Sequence, residues 1–345
     1  MSSRTPRRLS TAASASAALL ALAPALAACS SGSEAPAPGR TGTAAVRGEA
    51  APSGGSPFWV DPQSDAARQV EEWRAEGRTE DAELLKRISE RPVADWPSGD
   101  DPAPGIRRAV KGAAGKRTVV LVAYNIPHRD CGLYSAGGAR DGRAYLHWID
   151  SFATAIGDAR ALVILEPDAV SHLVDGCTPA EHHAERNQLL SDAIERLKKQ
   201  PGTKVYLDAG NPNWIKEPEK LAEPLRTAGV AKADGFSLNV SNFETDGAVK
   251  TFGTRLSGLL DGAHFTVDTS RNGEGPLKGQ GDEAWCNPPG RSLGTPPTAE
   301  TGDELIDAYL WIKRPGDSDG TCRGGPAAGT WWPDYALGLA RRAGA

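Results

Sequence analysis

Residues 160–169 read "RALVILEPDA": an apolar run from Leu162 to Leu165 that ends in two acids, Glu166 and Asp168, with Pro167 between them. A short, continuous apolar stretch predicts a strand buried on both faces, as in a parallel sheet. Five further runs share that character: "TVVLVAY" (118–124), "KVYLDA" (204–209), "GFSLNV" (235–240), "HFTVD" (264–268) and "AYLWIK" (308–313). Helix-like segments such as "AYLHWIDSFATAI" and "AEHHAERNQLLSDAIERLKKQ" separate them. Strands alternating with helices predict an α/β fold with a parallel β core. Six such strands, with one or two more near the N-terminus, fit a β/α barrel, and an open doubly wound sheet is the alternative.

Ahead of the first run, "DAARQVEEWRAEG" spaces Ala66, Val70 and Trp73 as a helix does and stops at Gly77. Further upstream, Arg4, Arg7 and Arg8 precede an Ala/Leu-rich stretch from Ala12 to Ala28, too short for an ordinary spanning helix. Residues 1–28 therefore read as a signal peptide. The stretch ends "LAACSSGS", which resembles the lipobox of bacterial lipoproteins and marks Cys29 for lipidation. Residues 29–56, rich in Ala, Gly, Ser and Pro, read as a flexible tether, and residues 57–345 as a single catalytic domain. The chain is thus expected to be exported and to meet a membrane through its N-terminal lipid. With Cys29 set aside, the other four of the five cysteines (Cys131, Cys177, Cys286, Cys322) suit two disulfides in any of three connectivities.

A formal net charge of −5 and a pI near 5.8 leave no basic footprint for nucleic acid. Nine Trp against six Phe and six Tyr is an unusual balance, and indoles suit the flat apolar faces of sugars. Each predicted strand ends in residues that are costly to bury: Tyr124 with Arg129 and Asp130; Glu166 and Asp168; Asp208; Asn239; Asp268; and Lys313 with Asp317 and Asp319. In a parallel β/α fold all strand C-termini lie on one face, so these groups converge. The chain carries no Gly-rich phosphate loop or dinucleotide fingerprint, and no dense run of oxygen or sulfur ligands; no metal and no cofactor is expected. Facing carboxylates with aromatic neighbours point to glycoside hydrolysis, which needs one acid protonated and another group to accept a proton. Asp130 and Asp168 fit that need, because the charge of one raises the proton affinity of the other.

"VAYNIPHRDC" (122–131) and "VILEPDAV" (163–170) resemble the signature segments of glycoside hydrolase family 6, inverting cellulases built on a distorted (β/α) barrel of TIM-barrel type. "YLDAG" with Trp214, "LNVSNF", "DTSRNG", "WCNPPGRSLGTP" and "YLWIKRPGDSDG" follow in family order across roughly residues 57 to 340. The resemblance implies that Asp168 is the general acid. It makes Asp130 the neighbour that raises the proton affinity of Asp168 and joins the proton path from water. Asp319 matches the residue usually proposed as base, and Tyr124 would press on the sugar at the cleavage point. Lys313 and Asp317 would bind sugar hydroxyls, with Asp208, Asn211 and Asn239 beside the substrate. Trp96, Trp214 and Trp285 match its stacking platforms, whereas Trp73, Trp148 and Trp311 read as core. It also pairs Cys131 with Cys177 and Cys286 with Cys322. Three positions depart from the pattern: Asn211 stands for a His, Asp317 for a Glu, and Val170 for Leu or Ile. The implied activity is internal cleavage of β-1,4-glucans by a monomer whose partner is its glucan substrate. The rivals are a cellobiohydrolase and a non-catalytic glucan-binding surface lipoprotein.

Overall fold

The computed structural model describes residues 56–279 and 281–343. The signal segment, Cys29 and all but the last residue of the tether lie outside the described residues. Six strands run in chain order: β1 (Val119–Ala123), β2 (Ala161–Leu165), β3 (Thr203–Asp208), β4 (Gly235–Leu238), β5 (His264–Asp268) and β6 (Ile306–Leu310). Each pairs in parallel with the next, giving the sheet order β1-β2-β3-β4-β5-β6. The last strand starts two residues earlier than its apolar run and ends before Trp311.

The expected extra N-terminal strands are reduced to bridges. Ala94 N–H donates to the Trp311 carbonyl and Asp95 N–H to the Val120 carbonyl, each at 2.9 Å, so two residues span from the end of β6 to β1. The sheet is thereby curled into the expected distorted barrel rather than left open. Phe58 forms a second short bridge, to Thr118 at the foot of β1.

Both faces of β1 and β2 are buried because two different cores cover them. Val120, Val122, Leu162, Ile164, Tyr206, Ala308, Leu310 and Ile312 pack with Phe58 and Ala94 as the inner core. The alternate residues Val119, Leu121, Val163, Leu165, Val205 and Leu207 pack outward under helices. Those helices include α3 (Ala103–Ala113), α4 (Gly142–Ile156) and α6 (His183–Leu197), which contribute Ile106, Phe152 and Leu190. A period of two thus gives each strand an inner and an outer row. Extended past the strand ends, the inner row reaches Tyr124, Glu166 with Asp168, Asp208, Asn239 and Asp268.

A smaller core joins α1 (Asp65–Ala75), α2 (Thr79–Ser89) and the helix Pro333–Arg342 around Trp73, Leu85 and Leu337, with Trp311 from the strand side. Ser64 caps α1 by accepting from Ala67 N–H, which explains where that helix begins. Trp73, Trp148 and Trp311 are buried, as expected of core indoles. No helix among the described residues is long and apolar enough to cross a membrane.

Candidate active site

The turn after β2 is built around its two acids. Glu166 and Asp168 both have positive φ, 48° and 72°, a region that costs an ordinary side chain free energy and persists only where the surroundings impose it. Glu166 is fully buried; its carboxylate accepts from Asn125 N–H at 3.0 Å and Ile126 N–H at 2.9 Å, tying the β1 and β2 loops together. Burial nevertheless outweighs those bonds and pushes Glu166 up to about 7. Asp168 is held through its backbone, its N–H donating to Asp208 Oδ2 at 2.9 Å. Asp208 in turn accepts from Gly210 N–H and the Ser237 hydroxyl, so every one of its bonds fixes chain rather than facing the cleft.

Asp168 lies beside Asp130, and one oxygen of each falls within 4.8 Å of the other and of a ring nitrogen of His172. Burial raises the proton affinity of Asp168, with the Asp130 charge adding and His172 and Lys313 opposing. Burial likewise raises Asp130, against the pull of the Ser135 N–H that donates to it at 2.6 Å. Tyr124, continuing the inner row of β1, is pushed far up by burial and by the Asp168 and Asp130 charges, and stays a neutral phenol. Its ring is flanked by Trp96, edge-on at 5.6 Å, and by the Arg129 guanidinium at 4.6 Å.

Asp319 has the opposite environment. It is buried, yet Arg271 Nη1 lies 2.8 Å from one oxygen and Lys313 Nζ 3.2 Å from the other, and Asn287 N–H donates at 3.0 Å. Burial would raise this carboxyl, but the two cations and the hydrogen bonds outweigh it and hold Asp319 below the usual carboxylate range. Within one barrel mouth, then, two carboxyls are driven toward the protonated form and a third is locked ionised, the division of labour that acid-base chemistry requires.

The other predicted residues distribute unevenly. Trp96 donates its indole N–H to the Ile312 carbonyl at 2.8 Å and stands over the inner core. Trp214 donates to Asp175 at 3.0 Å, and Trp285 stands 6.1 Å from Tyr134. Asn211 is buried and its oxygen accepts from Asn213 and Trp214 N–H, so it shapes the turn that carries the indole. Asn239 is fully buried; its amide donates to the Glu244 and Asp268 carbonyls and its oxygen accepts from Glu244 N–H. Its side chain therefore braces two loops, because hydrogen bonds left open in so buried a position are costly. Asp317 turns toward Arg314 at 3.5 Å and lines a cavity of about 210 Å³ with Trp59, Asp95 and Trp331, which includes none of Asp130, Asp168 and Asp319.

Sequence reasoning missed Arg271, His172 and Tyr134. Arg271, three residues past the end of β5, is a wholly buried guanidinium, and a cation so close to a strand end was its only signal. Tyr134 meets Gly320, where an added Cβ would fall 2.4 Å from the ring at a φ of 154°, so that glycine is what lets the two loops touch. The disulfides pair Cys131 with Cys177 and Cys286 with Cys322, fastening the segments that carry Asp130 and Asp319. Such bonds fit an oxidising compartment.

Comparison with known proteins agrees with this geometry. Endoglucanase A of Cellulomonas fimi is 39% identical over 293 residues, covering 84% of this chain and 62% of that protein. Endoglucanase 1 of Streptomyces halstedii is 40% identical, covering 81% of this chain and 87% of its own length. The chain thus spans about three fifths of the first of these relatives. In structure, the endoglucanase Cel6 from Mycobacterium tuberculosis, solved with a methyl cellobiosyl thio-cellobioside, superposes with a TM-score of 0.77 at 41% identity over 83% of this chain and 97% of that one. The model of glycosyl hydrolases family 6 matches residues 53–343, and this chain belongs to that family.

Proposed function

We propose that the protein is an inverting endo-β-1,4-glucanase, cleaving cellulose-like chains with carboxylates and water. The observation that carries this reading is the contrast between Asp168, raised by burial beside Asp130, and Asp319, held ionised by Arg271 and Lys313. In it, Asp168 protonates the glycosidic oxygen, a water attacks the anomeric carbon from the opposite face, and the water's proton passes toward Asp130, with Asp319 kept ionised as the alternative base. Trp96, Trp214 and Trp285 stack on the glucan, and Tyr124 presses on the sugar at the cleavage point. Lys313, already on Asp319 and the Ser318 carbonyl, keeps one N–H for a sugar hydroxyl. Asp317 acts there only if Arg314 releases it. The names of the relatives support a glucan substrate. Export and anchoring through Cys29 complete the proposal, placing a monomeric enzyme on the outer face of the membrane.

One distance favours a second reading. Asp130 and Asp168 approach within 4.8 Å, near the roughly 5 Å spacing of retaining pairs, in which Asp130 would be the nucleophile. The raised proton affinity of Asp130 and its bond from Ser135 N–H argue against a nucleophile. Proton NMR of cellotetraose cleavage decides: the expected first products are α-anomers, and initial β-anomers contradict inversion. Contact between Tyr134 and Trp285 across the mouth favours the cellobiohydrolase alternative. A steep viscosity loss of carboxymethylcellulose at low release of reducing ends is the expected endo result; slow loss at high release would make the enzyme exo-acting.

A further inference from the structure

His172 sits in a short helix, α5 (Ser171–Val174), directly after the proposed acid, and its N–H donates to the Asp168 carbonyl at 2.9 Å. The residue is 5% exposed, and apart from the long approach of the Asp175 carboxylate to Nδ1 neither ring nitrogen has a hydrogen-bond partner among the described residues. An imidazole so placed is expensive unless it has work to do. Three carboxylates surround it. Asp175 Oδ2 lies 3.5 Å from Nδ1, and Asp130 and Asp168 each bring an oxygen within 4.8 Å of the ring nitrogens. Asp175 is itself fixed by the Trp214 indole N–H at 3.0 Å and the Cys177 N–H at 2.8 Å, and Trp214 packs against the imidazole, centroids 4.9 Å apart. The Cys131–Cys177 disulfide borders the same space, while Lys313 acts on Asp168 from the β6 side.

We propose that His172 is the positioning residue for the proton of the Asp130–Asp168 pair, oriented by Asp175 and returning to Asp168 the proton that each turnover delivers to Asp130. The inference rests on Asp168 being the acid. In a turnover the O–H bond of Asp168 breaks and its proton goes to the leaving glycosidic oxygen. The attacking water bonds to the anomeric carbon and yields one proton to Asp130. For the next cycle that proton must cross to Asp168. The imidazole accepts it from Asp130 as imidazolium and releases it to Asp168, so that no charge accumulates. Imidazole is the side chain suited to this exchange near neutral pH.

The test is the pH dependence of kcat/KM on cellotetraose and on cellobiosyl fluoride, whose leaving group needs no acid, for the wild type, His172→Gln and Asp175→Asn, with thermal melts to verify folding. Without the imidazole the proton left on Asp130 has no relay to Asp168, so the alkaline limb for cellotetraose moves by about half to one unit and kcat falls about threefold to tenfold. Asp175→Asn removes a charge that raises Asp168, so the limb moves down. Turnover of the fluoride, which does not spend the Asp168 proton, falls less than that of cellotetraose in either variant. Limbs that stay in place, or equal losses on both substrates, overturn the proposal. Should His172→Gln fail to fold, the Asp175→Asn limb decides alone. A wild-type alkaline limb that is the same for both substrates would instead defeat the assignment of Asp168 as acid.

Discussion

At the scale of single residues, the site is a set of carboxyls whose protonation is fixed by what surrounds them. Glu166 shows the consequence for stability. Its folded value of about 7 lies above an unfolded value near 4.5, so the folded state binds more protons between those limits. Its stabilising contribution is complete below about pH 4.5 and is lost as pH rises through about 7. Burial gives Asp168, Asp208 and Asp268 the same sign. Asp319 has the opposite sign, contributing above its unfolded value near 3.8 and losing that contribution as pH falls through its lower folded value. The domain should therefore melt highest between about pH 4 and 5. For Glu166 alone the fall by pH 7.5 is roughly 3 kcal/mol, or on the order of 5–10 °C in Tm. Thermal melts across pH 4 to 8 check this, and a Tm that is flat or rises from pH 5 to 7.5 would contradict it.

At the scale of elements, loops rather than strands aim the chemistry, and they are fastened at few points. Arg186 of α6, buried without a carboxylate partner in hydrogen-bond reach among the described residues, donates to the Pro127, His128 and Ala169 carbonyls and so holds the β1 and β2 loops in one arrangement. The Cys286–Cys322 bond does the same for the segment in which Asn287 and Asp319 exchange backbone-to-side-chain bonds, Asp319 N–H to Asn287 Oδ1 at 2.8 Å and Asn287 N–H to Asp319 Oδ2 at 3.0 Å. Cys286→Ser with Cys322→Ser opens a cross-link between residues 36 apart, a loss of about 3–4 kcal/mol in the chain-entropy account. The expected outcome, read from melts and from cellotetraose hydrolysis well below Tm, is lower stability together with at least a tenfold fall in kcat. Full kcat in a less stable protein would show that the bond does not position Asp319. The strands and their order were legible because apolar runs of one length recur between amphipathic helices. The barrel closure was not, since Ala94 and Asp95 pair over only two residues and carry no pattern. The placement of Asp130, Asp168 and Asp319 at the barrel mouth could be read from motif and strand end together. The internal use of Asp208, Asn211 and Asn239 could not, because the sequence does not say whether a polar group at a strand end faces the cleft or the chain.

At the scale of the whole molecule, the barrel separates an inner from an outer row of residues, and β1, β2 and β3 use the inner one twice: hydrophobic at the foot, ionisable at the mouth. Burial at the mouth raises the proton affinity of Asp168, while Arg271 and Lys313 hold Asp319 ionised in the same opening. Replacing the acid alone tests that division most directly. Asp168→Asn keeps shape and removes the transferable proton, so turnover of cellotetraose should fall by about 10²–10⁴-fold, while cellobiosyl fluoride is still hydrolysed within about tenfold of the wild-type rate. An equal loss on both substrates, or cellotetraose turnover that survives the change, would contradict the assignment of Asp168 as the general acid.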